Sequence, residues 1–156
     1  MTMPAVQAIP ADYLGITPYL IVDDAAAAIA YYSKAFGAVE TLRIAAPDGR
    51  IGHAEMRIRG QPLMLASPSP ECQAQSPTQL GGSPVGLMLY VDDVDATFAQ
   101  AVELGATARG PVDNQFYGDR TGSLVDPFGH TWHIASRIEA LSETELHARA
   151  KTAGWE

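Results

Sequence analysis

A chain of 156 residues that is 47% hydrophobic and 18% charged can bury one good core or two small fused units, and its composition is ordinary for a soluble globular protein. Its net charge of -8 argues against nucleic acid or anionic lipid as a partner, since neither favours an acidic surface. The single cysteine, Cys72, excludes an intrachain disulfide and suits a reducing compartment.

Met1 to Pro10 holds no basic residue and no long apolar run. Residues 1–13 are therefore expected to be a loose leader rather than a signal peptide. No later run is long enough to span a membrane, so a cytoplasmic protein is expected. Ile16 to Val22 reads as a strand, with Pro18 marking an edge or bulge. Asp23-Asp24 offers a cap, Ala25 to Phe36 a helix, and Gly37 its exit. Val39 to Ala45 is a strand and Pro47-Asp48-Gly49 a turn. Ile51 to Arg59 alternates, with Ile51, Ala54, Met56 and Ile58 set against His53, Glu55, Arg57 and Arg59. Gly60-Gln61 turns the chain into a short strand, Pro62 to Ala66.

Residues 67–84 contain four prolines and two glycines and are expected to form a linker or mobile loop without regular ladders. Val85 to Val91 is then a strand. Asp92-Asp93 caps a helix through Leu104, and Thr107 to Val112 follows. Ser123 to Val125 and Thr131 to Ala135 read as strands joined by Asp126-Pro127-Phe128-Gly129, where Pro127 presets one turn angle and Gly129 closes the turn. Ser142-Glu143-Thr144-Glu145 is a capping box that opens a terminal helix, docked by Leu141, Leu146 and Ala150.

The chain repeats itself. Val22-Asp23-Asp24-Ala25 matches Val91-Asp92-Asp93-Val94, and Phe36-Gly37-Ala38-Val39 matches Leu104-Gly105-Ala106-Thr107. Each half reads as strand, helix, then three strands. The expected organisation is a first module over 14–66, the linker over 67–84, a second module over 85–137 and a C-terminal helix over 138–156. Halves this small should share a sheet or pack closely.

Two βαβββ modules, with Tyr117-Gly118-Asp119-Arg120 ahead of Asp126-Pro127-Phe128-Gly129-His130-Thr131-Trp132, resemble the vicinal oxygen chelate superfamily. This is the group of glyoxalase I, extradiol dioxygenases and bleomycin-resistance proteins. Tyr31-Tyr32 to Phe36-Gly37-Ala38 resembles its first-helix signature, including that of the PhnB-like branch. The likeness runs from Leu14 to Arg137. It implies an α+β fold in which two βαβββ modules form a curved mixed sheet around a cleft. It also implies a homodimer, with modules paired within a chain or exchanged between chains.

In that superfamily the metal enzymes place a His or Gln on the first strand of each half and a Glu on the last. Counting from the matched motifs, those positions fall at Thr17, Gly86, Met64 and His133. Only His133 is a good ligand, so no metal site of the family type and no cofactor is expected. The alternative is one divalent ion at a rebuilt site of His53, Glu55 and His133. Strand alternation turns Thr17, Tyr19, Ile21, Met64, Met88, Tyr90, Thr131, His133 and Ala135 inward and Trp132 and Ile134 toward the helices. The expected ligand-binding set is Thr17, Tyr19, His53, Glu55, Met64, Met88, Tyr90 and His133, with Phe116 and Tyr117 at a rim. The plainer reading is that these side chains fill a core and bind nothing. Arg120 is expected to pair with Asp119 or Asp126, His130 to serve the turn, and His147 to be solvated.

The function so read is metal-independent binding of a small molecule, in the manner of a bleomycin-resistance protein that sequesters a cationic or aromatic compound. The alternative is a lyase, isomerase or dioxygenase that uses a divalent metal, with Glu55 as its catalytic proton-transfer base. A third reading is a folded module without a ligand.

Overall fold

The computed structural model describes residues 6–155, so Met1 to Ala5 of the expected leader and Glu156 lie outside the described residues. The chain divides into two compact units, Met1–Ser76 and Pro77–Glu156. Each has its own hydrogen-bonded sheet, not one shared ladder.

In the first unit, β1 (Tyr19–Ile21), α1 (Ala25–Phe36), β2 (Val39–Ala45), β3 (Ile51–Ile58) and β4 (Gln61–Ala66) form a sheet of order β1-β4-β3-β2. β1 runs parallel to β4, and the other pairs are antiparallel. β1 is shorter than the sequence suggests. Thr17 and Pro18 precede it, and Pro18, without an N–H, contributes only its carbonyl, which accepts from Met64 at 3.0 Å. The Asp24 side chain caps α1 by accepting from the Ala27 amide, satisfying one of the orphan donors of the first turn. One stripe of α1, including Ala28, Ile29, Tyr32 and Phe36, is buried. So are Ala54, Met56 and Ile58 of β3 and Leu63 and Leu65 of β4. His53, Glu55 and Arg57 occupy the alternate positions and are half-buried on the opposite, open face. Register shifts between Glu40 and Leu42 and between Ile44 and Ala45 interrupt the β2–β3 ladder. The second lies beside Ile51, where the alternation of β3 slips by one residue.

Residues 67–84 are more ordered than their prolines imply. Ser69 and Ala74 form a reciprocal bridge, with both bonds at 3.0 Å. The fully buried Ser76 hydroxyl donates to Asp23, and Pro77–Leu80 is a short helix, α2. Local hydrogen bonds, with one long-range bond to Asp23, supply the order that strand pairing does not.

In the second unit, β5 (Gly86–Tyr90), α3 (Val94–Glu103), β6 (Thr107–Ala108), β7 (Asp113–Asn114), β8 (Asp119–Val125) and β9 (Thr131–Arg137) repeat the plan. The order is β5-β9-β8-β6, with β7 also paired to β8. The strand expected over Thr107 to Val112 is cut back to Thr107–Ala108, because Gly110-Pro111 cannot continue a ladder, and β7 begins beyond it at Asp113. β8 starts four residues earlier than its apolar core suggests. Asp93 caps α3 through the Ala96 amide. The α3 ring of Phe98 packs onto Gly122 of β8, where a Cβ would lie 2.7 Å from the ring.

The turn between β8 and β9 is built as its sequence reads. Gly129 has φ +90° and its amide bonds the Asp126 carbonyl at 3.1 Å. The buried Asp126 carboxylate accepts from the Phe128 and His130 amides at 2.9 and 3.0 Å and from Trp132 Nε1 at 2.9 Å. α4 (Glu143–Thr152) opens on the expected capping box of Ser142 and Glu145 and has no buried residue. Among the described residues no helix is long and apolar enough to cross a membrane.

Candidate functional site

Tyr19 pairs with Met64 in the first unit, and Met88 with His133 in the second, so the parallel β1–β4 and β5–β9 pairs share one register. This register sets which side chains stand together on each open face.

On the first sheet, four side chains form a chain of hydrogen bonds. Tyr19 Oη lies 2.8 Å from His53 Nδ1, and His53 Nε2 lies 3.1 Å from Glu55 Oε1. Tyr13 Oη donates to Glu55 Oε2. A carboxylate only accepts, so in the neutral imidazole the proton sits on Nε2 and Nδ1 accepts from the Tyr19 hydroxyl. That leaves the lone pairs of the Tyr19 oxygen for an external donor. The bonds from Tyr13 and then His53 hold the Glu55 carboxyl below the usual carboxylate range. Burial, then the neighbouring Cys72 and Glu55, push the Tyr19 phenol up, so it stays protonated.

Asp12-Tyr13 is therefore not loose. Arg57 donates to the Asp12 carbonyl at 3.1 Å and lies 5.1 Å from the centre of the Tyr13 ring. A cation and a carboxylate on β3 together fix this end of the leader.

Tyr19 also lines a cavity of about 660 Å³ wholly within the first unit. Its walls are Tyr19 and Ile21 of β1, the Ala46 to Gly52 turn region, Ala66, and the segment carrying Ser69, Glu71, Cys72 and Ala74. That segment was expected to be a mere linker, so sequence reasoning missed this wall. Of the other expected ligand residues here, Met64 is half-buried opposite Glu55, and Thr17 is half-buried ahead of β1.

On the second sheet, Met88 and Tyr90 are 53% and 43% exposed. His133 is half-buried, with Nδ1 2.7 Å from Ser123 Oγ. Its ring lies over Gly86, where an added Cβ would be 2.6 Å from Nε2. Tyr90 Oη donates to Asp119, and Asp119 Oδ1 lies 3.5 Å from Arg137 Nε. The expected Arg120 pairing is corrected. Arg120 faces away from this group and forks onto Asp95 at 2.8 and 2.7 Å, with Asn114 at 3.0 Å. Since β8 begins at Asp119, Asp119 and Arg120 point to opposite faces and α3 supplies the carboxylate. Asp126 is committed to the turn. Phe116 packs edge-on against Tyr117, with centroids 5.3 Å apart, and lies 6.2 Å from the Trp155 ring. It thus stands beside the C-terminal helix.

His53 and Glu55 belong to the first unit and His133 to the second, so neither unit alone assembles the triad of the alternative, metal-bound reading. Among the described residues no three His, Cys, Asp or Glu side chains group for a metal. Sequence reasoning also missed Tyr13, Asp119 and Ser123. Alternation from His133 across a longer β8 would have found the last two, since Ser123 pairs with His133 and Asp119 with Arg137.

Residues 12–134 match the sequence profile of the Glyoxalase/Bleomycin resistance protein/Dioxygenase superfamily. The chain belongs to this superfamily. An uncharacterized protein of Mycobacterium bovis is 42% identical over 142 residues, covering 89% of this chain and 93% of that protein. Solved superfamily-type structures agree on the fold. TioX from Micromonospora sp. ML1 superposes with a TM-score of 0.63 at 23% identity, over 79% of this chain and 98% of TioX. The At5g48480 gene product of Arabidopsis thaliana gives 0.62 at 26% identity, over 79% of this chain and 98% of the plant chain. The α+β fold with two mixed sheets is that of the superfamily.

Proposed function

We propose that this superfamily member is a metal-independent protein that binds and sequesters a small cationic or aromatic compound. The observation that carries the reading is the donor set at the superfamily's four metal positions. Thr17, Met64 and Gly86 offer no imidazole or carboxylate, and the His133 ring fills the space a ligand side chain on β5 would need. A divalent ion would have one good ligand where it needs three or four, so these residues do not fit it.

Other features support a binder. The open faces display Tyr19, Met88 and Tyr90, which suit stacking and adaptable apolar contact. The Tyr19 oxygen and the overall charge of -8 favour a donor or cation over an anion. We also propose a homodimer. Edge strand β2 leaves Val39, Leu42 and Ile44 at 62%, 41% and 52% exposed, a row of apolar side chains beside a strand edge that is unpaired among the described residues and that a second copy would cover. Light scattering should give about twice the 16.6 kDa chain mass, and a monomer at micromolar concentration would count against the dimer.

The functional test is metal analysis of protein purified without added metal, combined with calorimetric titration of cationic aromatic compounds. The expected result is sub-stoichiometric metal that His133→Ala leaves unchanged, and saturable binding of a cationic aromatic. Stoichiometric metal lost in His133→Ala would replace this reading with the metal-enzyme one.

A further inference from the structure

We propose that the open face of the second sheet is a recognition site for an organic cation, anchored by the Asp119 carboxylate, walled by the Tyr90 ring, and held at rest by Arg137 as a displaceable occupant. The inference rests on the small-molecule-binding reading only for the kind of ligand.

Asp119 is 3% exposed, yet its Oδ1 has no hydrogen-bond partner among the described residues. A buried carboxylate oxygen without a donor is costly and calls for an explanation. Oδ2 is satisfied by the Tyr90 hydroxyl. The β8–β9 register sets Asp119 opposite Arg137, but Arg137 Nε stops 3.5 Å from Oδ1. Its guanidinium lies 6.0 Å from the centre of the Tyr90 ring, and its side chain is 67% exposed.

The same unit shows what a structural pair looks like. Arg120 forks onto Asp95 at 2.8 and 2.7 Å, the short bidentate form expected of guanidinium and carboxylate. Arg137 makes no such fork, although its carboxylate is buried and would gain more from one. It covers the aromatic ring and approaches the bare oxygen as a ligand's ammonium, amidinium or guanidinium would. An external cation of that class donates to Oδ1, stacks on Tyr90, and releases Arg137 to water at little loss. An anion meets the Asp119 charge and is rejected.

The test titrates the full chain with benzamidine, and with benzyl alcohol as the uncharged analogue of similar shape, by calorimetry and by NMR of the Tyr90 and Arg137 side chains. Arg137→Gln removes the internal competitor and should tighten benzamidine binding about tenfold, leaving benzyl alcohol unaffected. Asp119→Asn keeps the shape and should remove that gain. Unchanged or weaker benzamidine binding in Arg137→Gln, or full binding in Asp119→Asn, overturns the proposal. If Asp119→Asn fails to fold, the wild-type spectrum decides. Benzamidine should shift the Tyr90 and Arg137 signals, and their immobility sinks the site. Benzamidine bound elsewhere, with those signals still, sinks this site alone and leaves the binding function standing. That function fails separately, on metal content.

Discussion

Gly86 and His133 share one space: a Cβ on Gly86 would stand 2.6 Å from His133 Nε2 and 2.9 Å from Cδ2. Ser123 Oγ holds the far side of the ring at 2.7 Å from Nδ1. Gly86→Ala must push the ring away from Ser123, so it should destabilise the protein by about 1–3 kcal/mol, the scale of overpacking plus a strained hydrogen bond. Urea unfolding measures this. Adding His133→Ala removes the clash, so the double variant should lose less than the two single losses combined. Strict additivity would show that Gly86 is not there to accommodate the ring.

Asp126 carries the turn between β8 and β9. It is 4% exposed and accepts from two backbone amides and the Trp132 indole. Asp126→Ala strands all three donors in the interior and should cost about 3–5 kcal/mol. Asp126→Asn keeps one acceptor oxygen and should cost less. Chemical denaturation of the two variants checks the order. A loss below about 1 kcal/mol for alanine would mean that water replaces the carboxylate.

The turn, both capping aspartates, the capping box and the repeat are legible in the sequence because each is decided within a few residues. Asp24, Asp93 and Ser142 need only the amide three positions on, and Gly129 needs only its own φ. The open faces are partly legible, because alternation along β3 and β9 sorts His53, Glu55 and His133 from Ala54, Met56 and Ile134. What fails is long-range pairing. Arg120 has Asp119 beside it in sequence, yet a strand sends neighbours to opposite faces, and Asp95 of α3 takes the fork. The start of β8 is hidden because Asp119 to Gly122 has none of the apolar residues that mark a strand. Tyr13 is hidden because nothing local tells a leader that Glu55 and Arg57 await it on β3.

Tyr13→Phe isolates that contact. The Tyr13 hydroxyl donates to Glu55 Oε2, and it is the first cause of the lowered Glu55 pKa, ahead of His53. Phenylalanine removes the hydroxyl and keeps the ring under Arg57, which lies 5.1 Å from the ring centre. The Glu55 pKa should therefore rise toward its ordinary value, which a carboxyl carbon NMR titration reads directly. A carboxyl whose folded pKa is lowered binds its proton less readily folded than unfolded. Its stabilising contribution is then complete above the unfolded pKa and is lost as pH falls through the folded one. The Glu55 side chain is 22% exposed, so solvent screening keeps the wild-type advantage over Tyr13→Phe below about 1 kcal/mol at neutral pH. That advantage should narrow as pH drops below about 4, where the unfolded carboxyl begins to hold its proton. Urea unfolding of both proteins at neutral and acidic pH gives the two differences. An advantage that widens in acid, or a Glu55 titration that Tyr13→Phe leaves in place, would show that the leader tyrosine does not hold this carboxylate.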